Sequence, residues 1–156
     1  MLVAIGYSRM NSVRAARYEA AKAMGYTLIS YVSPRASTWP DLAIGDNCIV
    51  MDEVIIQPYA EIGADTILWS GSYVGHEARV GDHCYLAAGA TVSGLATVGN
   101  RCFLGTGSII RDGIEVGPQC LVGAGATVMR DVEAGTIHAA AETRRLPGGS
   151  DRLPGF

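Results

Sequence analysis

From Ile44 an aliphatic residue recurs at every sixth position as far as Val128, a row of fifteen that includes Val50, Leu68, Val74, Leu86, Leu104 and Val122 without a break in register. Four residues after each stands a small or branched side chain, such as Cys48, Ala60, Thr66, Ser72, Ala90 or Cys120. Glycine follows the aliphatic residue at Gly45, Gly63, Gly75, Gly81, Gly99, Gly105, Gly117 and Gly123. A period of six is not helical, because 3.6 residues per turn would spread the row around the cylinder. It predicts short strands joined by tight corners, with the aliphatic and small positions facing inward. Three hexads close one triangular coil of eighteen residues, so 44–133 would make five coils. Each coil would pair its backbone with the coils above and below, at about 4.8 Å per layer. The fold class expected is therefore all-β, a parallel β-helix.

The ends follow other patterns. Leu2–Ile5 reads as a short buried strand, Asn11-Ser12 as the start of a helix running to about Met24 and stopped by Gly25, and Tyr26–Val32 as a second strand. One β-α-β unit of this size is not stable alone, so it must pair with something else. The expected division is 1–33 for this partial unit, 34–43 for a proline-bounded linker, 44–137 for the β-helix and 138–156 for an irregular tail.

Composition narrows the classes. Twenty glycines against two phenylalanines fit a narrow core with frequent corners. A net charge of -3 argues against nucleic acid, whose binding leans on phosphate neutralisation. No apolar stretch approaches the roughly 20 residues of a membrane span, and the first residues lack the basic leader of a signal peptide, so no membrane is expected and a cytoplasmic location is the default. All four cysteines, Cys48, Cys84, Cys102 and Cys120, fall on the small inward position and read as packing residues; they form no close pairs of the kind that bind a metal, and none is expected.

Chemistry is sought on the outward positions. Gly75-His76-Glu77 is the main candidate: acyl transfer needs a base for the proton of an attacking hydroxyl or amine, and a carboxylate beside a histidine orients the ring and raises its basicity. One coil on, eighteen residues from His76, Gly94 would leave a bare backbone amide beside that base, as an oxyanion donor requires. On a neighbouring edge the pairs Ser70-Gly71, Ala88-Gly89, Thr106-Gly107 and Ala124-Gly125 repeat every eighteen residues, a smooth strip suited to an extended pantetheine arm. Arg101, Arg111, Arg130, Arg144 and Arg145 are candidates for CoA phosphates, Trp69 and Tyr73 for stacking on a sugar or base, and His83 reads as a surface residue on a different row from His76.

Val74-Gly75-His76-Glu77, Val80-Gly81-Asp82, Val92-Ser93-Gly94, Ile110-Arg111-Asp112-Gly113 and Val122-Gly123-Ala124-Gly125-Ala126 together resemble the sialic acid O-acetyltransferase-like and bacillosamine N-acetyltransferase-like family, over about Val3 to Leu146. These are bacterial sugar acyltransferases of surface-polysaccharide pathways. The resemblance implies a left-handed β-helix, a homotrimer, and acetyl-CoA as co-substrate in clefts between adjacent prisms. It implies His76 as general base assisted by Glu77, and a cofactor groove lined by Gly94, Thr106 and Ala124, with Tyr85 where relatives often carry a second histidine. It also implies a sugar or nucleotide-sugar acceptor met by the loop Gly6-Tyr7-Ser8 and by Arg14. Full-length relatives begin with a larger Rossmann-like domain, of which only the last strand-helix-strand is expected here. Two other readings compete. A zinc hydrolyase like the γ-class carbonic anhydrases needs three converging histidines, and His76 and His83 are on different rows. A non-catalytic trimeric scaffold would fold in the same way and bind no cofactor.

Overall fold

A computed structural model describes residues 1–143 and residue 145. Part of the expected tail over 138–156, and Arg144, lie outside the described residues. The chain is a left-handed parallel β-helix carrying one helix, Ser12–Ala23. Its strands are two residues long and stack into three parallel sheets, the faces of a triangular prism. The first face runs through Tyr31–Val32, Ile49–Val50, Ile67–Leu68, Tyr85–Leu86, Phe103–Leu104, Leu121–Val122 and Ile137–His138. The second includes Tyr73–Val74, Thr91–Val92 and Ile109–Ile110, and the third Glu61–Ile62, Arg79–Val80 and Thr97–Val98. Register is eighteen residues per coil, as in Ile67 beside Tyr85 and Thr91 beside Ile109.

The core is the aliphatic row. From Val50 to Val128 every member is buried in one continuous cluster, joined by the small residues four positions later. The four cysteines are fully buried and unpaired there. Burial pushes the Cys48 thiol up to about 11 and raises the Cys84 thiol well above its ordinary value, so both are held as neutral packing groups.

The β-helix begins two hexads earlier than the aliphatic row indicates. Tyr31 pairs with Ile49, Ser37 bridges Ile55 and Ala43 pairs with Glu61, each partner eighteen residues on. The expected linker over 34–43 is therefore part of a coil. Thr38 occupies the inward register where the sequence pattern asks for an aliphatic residue, which is why this coil is silent in the periodicity.

The second expected strand is shorter than predicted: within Tyr26–Val32 only Tyr31–Val32 is a strand, and its partner is the β-helix. Leu2–Ile5 forms no strand. It is held by one parallel rung, in which the Met1 amine donates to Thr27 O at 3.0 Å and Ile29 N–H to Met1 O at 3.0 Å. The Asn47 side chain then serves Val3 as a neighbouring strand would, accepting from its N–H at 2.7 Å and donating to its carbonyl at 3.3 Å. The helix stands where the sequence put it, ending before Gly25 at φ 82°. Its Asn11 makes no side-chain cap; that side chain is drawn into the β-helix instead. No helix among the described residues is long and apolar enough to cross a membrane.

Candidate active site

Each prism edge turns through one residue with positive φ, and that position repeats every eighteen residues. On the edge between the third and first faces it is filled by Asn47, Asp65, His83, Arg101 and Gln119, and on the next edge but one by Tyr59, Glu77, Leu95 and Gly113. Non-glycine residues thus occupy this corner repeatedly. Between the first and second faces the same position is Gly71, Gly89, Gly107 and Gly125 in four successive coils. The turn favours glycine on every edge, so the turn alone does not account for a run of four glycines on one, where Glu53 fills the position in the preceding coil.

Sterics inside the chain do not account for it either. Among the described residues, a Cβ at Gly107 or Gly125 would meet nothing within 4 Å, and one at Gly71 or Gly89 nothing nearer than 3.9 Å. The glycines after the aliphatic row differ: a Cβ at Gly45 or Gly105 would lie 2.5 Å from the backbone of the next coil. Two kinds of glycine are present. One lets coils stack; the other leaves an outer edge open, beside exposed Ala88, Thr106 and Ala124.

His76 lies on the edge between the second and third faces. Its ring covers Gly94, where a Cβ would lie 2.5 Å from Nε2. Gly94 is buried beneath the imidazole and gives the ring its seat. The expectation of a bare amide there is corrected: Gly94 N–H donates to the Asp112 carboxylate at 3.1 Å, while Leu95 N–H donates to His76 O at 2.9 Å. His76 Nδ1 is 3.5 Å from Glu77 Oε1, with the two side chains 56% and 57% exposed. That separation exceeds a formed hydrogen bond, as is common in catalytic pairs before substrate binds. A groove of about 590 Å³ adjoins Glu77, lined also by Tyr59, Glu61, Arg79, Leu95 and Thr97.

Tyr85 is on the first face, away from His76. It stacks on Phe103 with centroids 5.4 Å apart, and Tyr7 crosses both rings at 4.9 and 5.0 Å. Burial, and then the nearby Tyr7, raise the Tyr85 phenol above its ordinary value. Trp69 borders this cluster, 6.5 Å from Tyr85. Gly6 and Ser8 flank Tyr7 in the loop above it, and Ser8 is exposed.

Arg14 is not available to a ligand. Its side chain is fully buried and its donors are taken by Gly6 O, Asn11 Oδ1, His83 O, Cys84 O and Asp65. His83 is not a plain surface residue: it is 16% exposed, with Nδ1 2.8 Å from the buried Asp65 carboxylate. The sequence reading missed this pair, although Asp65 and His83 are eighteen residues apart and so adjacent by the same step that aligned His76 with Gly94. Arg101, Arg111, Arg130 and Arg145 are exposed at separate places.

The model for bacterial transferase hexapeptide (six repeats) matches residues 41–76 and 59–94, and that for the hexapeptide repeat of succinyl-transferase matches residues 96–130. This chain belongs to the hexapeptide-repeat transferases. Among solved structures, this hexapeptide-repeat chain is similar to a variant of perosamine N-acetyltransferase from Caulobacter crescentus in complex with CoA and GDP-perosamine, at 31% identity and a TM-score of 0.85, over 89% of this chain and 65% of that one. It is similar to the acetyltransferase domain of PglB from Neisseria gonorrhoeae FA1090 in complex with acetyl coenzyme A, at 28% identity and a TM-score of 0.81, over 83% of this chain and 63% of that one. WeeI from Acinetobacter baumannii AYE shares the fold at 23% identity and a TM-score of 0.77, over 81% of this chain and 62% of that one. The chain thus spans less than two thirds of the length of these structures. Comparison with curated proteins gives no match.

Proposed function

We propose that the protein transfers an acetyl group from acetyl-CoA to an amine or hydroxyl of a nucleotide-linked sugar, in the assembly of bacterial surface polysaccharide in the cytoplasm. The observation that carries this reading is the cleared glycine edge. It offers about four coils of exposed backbone and open space to an extended thioester arm. The similar structures that hold acetyl-CoA, or CoA with GDP-perosamine, support both the donor and the acceptor class.

In one chain the glycine edge and His76 stand on different edges of the prism, with the second face between them. A base and a donor groove so separated meet when one copy's edge packs against the next copy's, which supports a homotrimer with three equivalent clefts. Exposed Ile55 and Ile109 on that intervening face supply apolar surface for the contact. Tyr85, Thr106 and Ala124 then serve the acetyl-CoA side and the Gly6-Tyr7-Ser8 loop the acceptor side.

His76 Nε2 takes the proton as the acceptor nitrogen or oxygen attacks the thioester carbonyl. Glu77 orients the ring through Nδ1 and stabilises the charge it gains. The C–S bond breaks, the coenzyme leaves as thiolate, and the imidazolium returns the proton to sulfur, so the products are acetylated sugar and free CoA. Purified protein offered acetyl-CoA and a panel of amino- and hydroxyl-bearing nucleotide sugars should release CoA thiol only where an acceptor is present. No release above that of acetyl-CoA alone, across a panel including GDP-perosamine, would argue for the scaffold alternative.

A further inference from the structure

The loop between Gly6 and the helix contains three consecutive non-glycine residues in the left-handed region, Arg9, Met10 and Asn11, at φ 51°, 51° and 63°. L residues adopt that conformation in series only where surrounding structure holds them. The holding groups are identifiable. Asn11 Nδ2 donates to Cys102 O at 3.0 Å, and Arg14 Nη1 donates to Gly6 O at 3.1 Å and to Asn11 Oδ1 at 3.2 Å. Arg14 is in turn fixed by the β-helix, with Nε 3.3 Å from Asp65 Oδ2 and Nη2 donating to the carbonyls of His83 and Cys84 at 2.9 Å. Asp65 has no freedom of its own: Asn47 donates to one oxygen at 2.7 Å and His83 Nδ1 lies 2.8 Å from the other. A buried column on one prism edge therefore sets the shape of an exposed loop on the adjoining face, and Tyr7 in that loop is what covers Tyr85 and Phe103.

We infer that His83 and Asp65, acting through Arg14, are positioning residues that hold the Gly6–Asn11 loop in its strained form so that Tyr7 is preorganised for the acceptor. This rests on the reading of the loop as the acceptor side of the transferase. His83 touches no reacting atom. Its Nδ1–H fixes the Asp65 carboxylate against the Arg14 guanidinium, and its own carbonyl receives that guanidinium's second nitrogen. Asparagine at position 83 can present an amide N–H where Nδ1 stands; leucine, of similar size, cannot.

Hydrogen exchange on the full chain tests this with wild type, His83→Leu and His83→Asn. In His83→Leu the amides of Asn11 and Ser12, which donate to Tyr7 O and Arg9 O at 3.1 Å, should exchange at least about tenfold faster, with the strand amides at Tyr73 and Thr91 unchanged and acetyl-CoA affinity within about twofold. His83→Asn should restore loop protection. With an acceptor that the wild type uses, KM for that acceptor should rise in His83→Leu and recover in His83→Asn, with kcat held. Unchanged loop exchange, a rise equal over the whole β-helix, or no recovery in His83→Asn would each overturn the inference. Failure of wild type to bind acetyl-CoA would instead remove the transferase reading and leave the exchange result standing.

Discussion

Replacing His76 with alanine is expected to lower turnover by about a hundred- to ten-thousandfold, the usual contribution of a positioned general base. Acetyl-CoA affinity should stay within about twofold, because a group that acts on the proton in flight contributes little to binding the thioester. The structure makes this variant unusually clean. His76 is more than half exposed, its ring rests on a glycine, and among the described residues its one ionic neighbour is Glu77 at 3.5 Å. Removing the ring leaves no buried group without a partner, so folding should be unaffected. Steady-state kinetics and calorimetry together check the split. An equal loss of rate and affinity would remove His76 from the role of base.

Gly94→Ala should cost nearly as much activity while sparing the fold. The added methyl would stand 2.5 Å from His76 Nε2 and 2.8 Å from Cε1. The imidazole ends an exposed side chain and can rotate away, so the clash is relieved by moving the base. A displacement of about 1 Å at a catalytic group commonly costs about a hundredfold in rate. Thermal unfolding should barely change. Gly75→Ala makes the contrast: its Cβ would run into the backbone of the next coil at Ser93 and Gly94, where no side chain can give, so this variant should lose stability first. Full activity in Gly94→Ala would show that the seat of His76 is not needed.

The fold was readable because one physical demand, an aliphatic residue facing a narrow core every sixth position, repeats without exception from Val50 to Val128. Where the demand lapses the reading lapses too: Thr38 hides the first coil, and the segment around it looks like a linker. The site was readable in part. The step of eighteen set Gly94 beside His76, where the structure has it. Taken once more it reaches Asp112, whose carboxylate occupies the amide that seemed free. The same step joins Asn47, Asp65 and His83, a column legible in principle but masked by the ordinary look of each residue alone. Arg14 was beyond such stepping. It lies outside the repeat and its carboxylate partner Asp65 is fifty-one residues away, so nothing local distinguished a buried anchor from an exposed residue of the acceptor site. The two kinds of glycine were likewise alike in sequence; only the space around each Cβ separates those that admit the next coil from those that clear an edge.

Titration of the intact protein with acetyl-CoA by calorimetry tests the central claim most directly, run beside Gly107→Trp and His76→Ala. Among the described residues a Cβ at Gly107 meets nothing within 4 Å, so a large side chain there projects into the proposed groove, at the cost of some strain in a turn at φ 64°. The account predicts about one site per chain in wild type, the same site in His76→Ala, and its loss in Gly107→Trp. No binding in wild type, or undiminished binding in Gly107→Trp, would contradict it.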